Sequence, residues 1–157
     1  MVQDTKPRQE SAVLAMLAVW VVKDGVSLGG LSPGLREQAL AVVWAGLPID
    51  VMSEKAAKAA LQAHLAGAAR FLDTDHVALR RWLVDGGWLT RDGFGREYRR
   101  VPLHGLADSS QHLAAALQTL DVTAWVAGAR AQLAAARDGR RRAWQASSQQ
   151  LQPGSPA

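Results

Sequence analysis

A mainly helical α+β domain is predicted by three observations. Apolar residues recur at three- and four-residue spacing in successive segments between Ser32 and Asp85, each bounded by a cap, a proline or a glycine. The last of these segments runs into Gly86-Gly87, and two short stretches, Trp88 to Arg91 and Arg96 to Val101, then flank Asp92-Gly93-Phe94-Gly95. Those glycines permit the positive φ angles of a tight connection, so the pair reads as a β-hairpin. Helix, then helix, then arginine-rich hairpin is the order of a winged helix-turn-helix-like core, here with one two-stranded hairpin and extra helices at both ends.

The elements follow in order. Pro7 suits a first helical turn, and Ser11 to Lys23 continues helically until Asp24-Gly25. The apolar run Ala12 to Val22 is shorter than the about 20 residues a bilayer span needs. Asp4 and Glu10 before it, and Lys23 and Asp24 after it, favour a buried helix over the competing reading of a secretory signal. Ser32-Pro33 is a cap followed by a first-turn proline, and Leu35, Ala39, Leu40, Val43 and Trp44 mark one face until Gly46-Leu47-Pro48. Ile49-Asp50-Val51 alternates as a minimal strand, and Ser53 caps an Ala-rich helix closed by Gly67.

Asp73 or Thr74 is expected to cap the next helix, on which Leu79, Trp82 and Leu83 share a side that should bury Trp82. Asp108 with Gln111 has the spacing of a capping box. Asp121 opens a last helix with an apolar stripe of Val122, Trp125, Val126, Ala129 and Leu133. The expected organisation is an N-terminal helix over 1–30, a winged-helix-like domain over 31–103, a helical extension over 104–144 and a disordered tail over 145–157.

With 157 residues the chain has room for one core, and without cysteine it has neither disulfides nor thiolate metal ligands, as befits a cytoplasmic protein. The net charge of +4 is unevenly laid down: up to residue 69, six Lys/Arg balance six Asp/Glu, and every cation after that point is Arg. Arginine grips phosphate or carboxylate with a planar fork.

Arg81 lies nearly opposite the apolar side of the helix before the hairpin, with Arg80 flanking it, and in a winged helix that helix reads the major groove. Arg91, Arg96, Arg99 and Arg100 decorate the hairpin, where a wing touches phosphate, and Phe94 is expected exposed at its tip. Pairing of Arg80 and Arg81 with Asp73, Asp75, Asp85 or a C-terminal carboxylate to lock the domain is the alternative for the helix, and charge carried for solubility on a solvated strand edge is the alternative for the hairpin. His64, His76, His104 and His112 have no ligand spacing, so neither a metal nor another cofactor is expected, and no serine lies in an activating turn.

The ordered set Asp75, Leu79-Arg80-Arg81, Leu83-Val84-Asp85, Leu89 and Arg91, with Ser53-Glu54 before it and Tyr98-Arg99 after it, resembles a small bacterial domain, domain-of-unknown-function family 2087. The resemblance covers about Leu35 to Val101. It implies a helix-turn-helix-like fold in the setting of ArsR-type transcriptional regulators, where the domain often follows a separate DNA-binding module, and it supplies no reaction. The residues ahead of Leu31 are too few for such a module, so the domain either reads DNA itself or serves as an interaction module.

The function expected is therefore non-enzymatic: double-stranded DNA binding, or a transcription-associated role, through Arg80, Arg81, Arg91, Arg96 and Arg99. A protein-interaction module is the alternative, and an enzyme with an unrecognised site is the third reading. The terminal stripe either packs on the first helix at Leu14, Leu17 and Val21 or pairs two copies as a homodimer.

Overall fold

The computed structural model describes residues 6–94 and 96–150. Its elements are α1 (Lys6–Val21), α2 (Pro33–Gly46), β1 (Met52–Ser53), α3 (Glu54–Ala66), α4 (His76–Asp85), β2 (Leu89–Arg91), β3 (Glu97–Arg100), α5 (Asp108–Gln118) and α6 (Val122–Gln150). From α2 to β3 this is the helix, strand, helix, helix, hairpin order of a winged helix.

Local chemistry explains most boundaries. Ser32 accepts from Leu35 N–H with Pro33 in the first turn, Ser53 accepts from Ala56 N–H, and Asp121 accepts from Ala124 N–H. Two expected caps differ. The α4 cap is Asp75, whose Oδ1 accepts from Ala78 N–H at 2.8 Å, rather than Asp73 or Thr74, because Asp75 is the last extended residue before the helix. No capping box forms at α5: Asp108 is already helical, and the Gln111 amide donates to Leu106 O instead. Gly86 and Gly87 end α4 by donating to Trp82 O and Val84 O, with Gly87 at φ +80°.

The hairpin expected after α4 is present and has gained a third strand, giving an antiparallel sheet in the order β1-β3-β2. The minimal strand lies at Met52–Ser53, not at Ile49–Val51, because pairing with β3 matches Met52 to Tyr98 and Ser53 to Glu97. Met52 is buried, while Ile49 and Val51 are exposed. Gly93 does not use a positive φ, and Gly95 lies outside the described residues.

One continuous core runs from Leu17 and Val21 of α1 through Val42, Trp44, Phe71, Leu83 and Trp88 to Leu117 and Val126. The flanking helices thus complete the winged-helix core. Val122 and Val126 are buried, with Trp125 and Ala129 half-buried against the same cluster. The terminal stripe therefore packs inside its own chain and meets α1 there. Arg130 fixes the contact, donating to Val21 O at 3.1 Å, Lys23 O at 2.7 Å and Asp24 Oδ1 at 3.0 Å. Leu133 is half-exposed and stands outside the cluster.

Two expectations need correction. Residues 145–150, expected to be disordered, continue α6, since an uninterrupted Ala-, Arg- and Gln-rich stretch has high helix propensity; 151–157 lie outside the described residues. Trp82 is half-buried rather than buried: it sits at the edge of the Leu79–Leu83 face, and the Arg36 guanidinium covers its ring at 4.6 Å. No helix among the described residues is long and apolar enough to cross a membrane.

Candidate functional site

Cross-strand partners in an antiparallel sheet share a face, and successive residues alternate between faces. The β2–β3 register therefore sorts the wing arginines. Arg91 opposes Tyr98, Leu89 opposes Arg100, and Thr90 opposes Arg99. Tyr98, Leu89 and Arg100 are buried, so Arg91 belongs to the face turned toward the domain, and Arg99 with Thr90 belongs to the opposite one.

On its inner side the wing meets α4 across an open cleft of about 660 Å³, into which Arg80, Arg81 and Arg91 converge beside Asp85, Asp92 and Tyr98. Each arginine is held differently. Arg80 is half-buried, with its guanidinium 5.0 Å from the Tyr98 ring centroid and 3.6 Å from Glu54 Oε1. That Glu54 partner is largely exposed, so the pair contributes little energy and serves chiefly to orient Arg80. Arg81 and Arg91 are exposed. Neither of the two ion pairs formed among the described residues involves them.

Asp92 shapes the wing. Its Oδ1 accepts from Arg96 N–H at 2.7 Å and Glu97 N–H at 3.2 Å, and its own N–H donates to Glu97 O. This carboxylate closes the turn that presents Phe94, 87% exposed, and Arg96 at the tip. Of the five arginines singled out, three line the cleft, Arg96 stands at the tip, and Arg99 faces the other way.

Sequence reasoning placed Arg100 with the wing cations. It is buried instead, donating through Nη1 to Leu47 O at 3.0 Å and Ala45 O at 3.4 Å. The alternation Glu97-Tyr98-Arg99-Arg100, anchored on Tyr98 as the core residue, was the signal that separates Arg99 from Arg100. The same parity finds Tyr98 as the floor of the cleft.

A second buried polar group lies nearby. The His64 ring packs over Gly46, where an added Cβ would land on it, and its Nδ1 has no protein partner. Burial holds the imidazole below its ordinary 6.5, opposed by a weaker hydrogen bond to the Gly46 backbone. The C-terminus of α2 is thus met by His64 and Arg100 from two sides.

Residues 33–100, which span this whole arrangement from α2 to the last wing residue, match the model of DUF2087, described as an uncharacterized protein conserved in bacteria. Over this segment, less than half of the chain, the sequence is similar to DUF2087. The match begins at the first residue of α2 and ends at the last of β3, so it coincides with the helix, strand, helix, helix, hairpin unit and leaves α1, α5 and α6 outside it. Neither the curated proteins nor the solved structures supplied a match.

Proposed function

We propose that this DUF2087-like segment binds double-stranded DNA, with α4 in the major groove and the wing on the phosphate backbone. The observation that carries the reading is the convergence of Arg80, Arg81 and Arg91 on one open cleft between the helix and the wing. Guanidinium forks match phosphate oxygens and guanine edges, and Arg81 and Arg91 are exposed. Arg80, braced by Glu54 and Tyr98, is pre-positioned rather than mobile. Arg96 extends the contact at the tip, and Arg99 reaches only nucleic acid that wraps to the outer face.

The reading is non-enzymatic and cytoplasmic: the cations lining the cleft, Arg80, Arg81 and Arg91, are anion holders, and among the described residues no Ser, Cys, Thr or Lys nucleophile lines it beside a base. A setting in transcriptional control, such as that of ArsR-type regulators, belongs to the same proposal. A protein-interaction role is the second reading, favoured by Val77 and Phe94, which are exposed on α4 and at the wing tip, and by the carboxylates of Asp85 and Asp92 within the cleft.

A salt series of binding to random duplex DNA tests the proposal. The logarithm of affinity should fall linearly with the logarithm of salt, with a slope of about 0.9 per phosphate contacted. Absence of salt-dependent binding to duplex near about 50 mM salt overturns it.

A further inference from the structure

From Ala134 to Ser147 every residue of α6 is exposed, and neither ion pair formed among the described residues involves Arg137, Arg140, Arg141 or Arg142. This half of the helix stands clear of the core that takes Val122 and Val126. At 3.6 residues per turn, Arg137, Arg140, Arg141 and Trp144 fall within an arc of roughly 100°, while Asp138 and Arg142 lie outside it. Trp144 is 71% exposed in the midst of these arginines. A solvated Ala-rich helix has no use for an indole left in water, which keeps a large apolar area hydrated.

Three kinds of surface bind an exposed helix, and the side chains discriminate among them. Insertion into a membrane interface needs a broad apolar face. Docking in a protein groove needs apolar anchors at i, i+3, i+4 and i+7. Among the described residues beyond Leu133 the arm offers Trp144 as the one apolar side chain larger than Ala, so neither fits. Single-stranded nucleic acid asks for what is present: cations that track phosphates, and an aromatic plane on which an unpaired base stacks.

We propose that the C-terminal arm of α6 binds single-stranded nucleic acid, with Arg137, Arg140 and Arg141 on phosphates and Trp144 stacked on a base. This site is separate from the helix–wing cleft and does not rest on the reading given for it.

Fluorescence anisotropy of a short labelled oligonucleotide of mixed sequence, followed between about 50 and 200 mM salt, tests the proposal. The R137Q/R140Q/R141Q variant should lose about 2 units of salt slope, and Trp144→Ala should weaken binding on the order of tenfold. R137K/R140K/R141K should retain most of the affinity. The cleft variant R81A/R91A should bind the single strand as wild type does, even where it loses duplex affinity, which separates failure here from failure of the cleft reading. Far-ultraviolet circular dichroism of the arm variants should match wild type, because the altered side chains are exposed. Two results overturn the proposal: arm variants that bind the strand as tightly as wild type, or wild type that binds phosphatidylglycerol vesicles and leaves the strand free.

Discussion

The Arg100 guanidinium sits over the Trp44 indole at 4.0 Å, while the indole Nε1–H donates to the carbonyl of the next residue, Val101, at 2.7 Å. The last residue of β3 and the residue after it thus hold one side chain of α2 from two directions. Desolvated cation–π contacts and charge-assisted hydrogen bonds to Leu47 O and Ala45 O act together here. Arg100→Ala should therefore cost about 3 kcal/mol in urea denaturation. Arg100→Lys should recover part of this, since it keeps the charge and loses the planar fork. A loss no greater than that of an exposed arginine such as Arg99 would contradict this placement.

Two tryptophans near the same strand should respond differently to truncation. Trp88 is fully buried and packs 6.0 Å from Trp44, so Trp88→Ala should cost about 3–5 kcal/mol. Trp82 is half-buried beneath Arg36, and Trp82→Ala should cost about 2 kcal/mol, with part of that loss shared by Arg36→Ala in a double-mutant cycle. Equal losses for Trp82 and Trp88 in denaturant melts would reject the distinction.

His64 sets an acid limit. Because burial lowers its folded value below 6.5, the unfolded chain binds the proton first as pH falls. This contribution to stability is therefore complete above 6.5 and declines as pH drops through that value toward the lower folded one. Denaturation midpoints measured from neutral to mildly acid pH should fall in wild type and fall less in His64→Gln. Gly46→Ala, which places a methyl against the ring, should destabilise by about 1–3 kcal/mol, and less in a His64→Ala background.

Arg130 joins α6 to the end of α1 through three acceptors, so Arg130→Ala should raise hydrogen exchange at the α1 C-terminus and cost about 1–2 kcal/mol. With Val122 and Val126 covered within the chain, sedimentation equilibrium should report a monomer at micromolar concentration, and Trp125→Glu should destabilise it. A dimer that Trp125→Glu splits without unfolding would restore the homodimer pairing of Val122, Trp125, Val126, Ala129 and Leu133.

For duplex DNA, Arg81→Ala and Arg96→Ala should each weaken binding, with a slope loss of about one unit for each phosphate contact removed. Arg99→Ala, on the opposite face of the sheet, should change affinity least. Equal losses for Arg81 and Arg99 would argue against a contact centred on the cleft.

The helix order and the wing were legible because they rest on short-range rules. Ser32-Pro33, Ser53, Asp121 and Gly86-Gly87 act within a turn of themselves, and Leu79 and Leu83 follow the helical period. What depended on distant partners was not legible. β1 begins at Met52 because Tyr98, far along the chain, chooses that register, and nothing local tells Met52 from Val51. Arg99 and Arg100 are chemically identical, and only strand parity sends one to solvent and the other to Trp44. The cleft was half legible: Arg80 and Arg81 from the helix face, Arg91 only once paired with Tyr98.

The tie between the two interhelical loops carries a mechanical consequence. Val26 receives Asp73 N–H on its carbonyl at 2.8 Å and donates its own N–H to Phe71 O at 2.9 Å, a short parallel bridge just ahead of α4. Lys23 and Asp24, which Arg130 of α6 grips, precede that bridge by only a few residues. Arm, clamp, bridge and α4 form one linkage, so a load placed on the far end of α6 is delivered to the base of α4. A deflection there must either tilt α4 or break a hydrogen bond along the way.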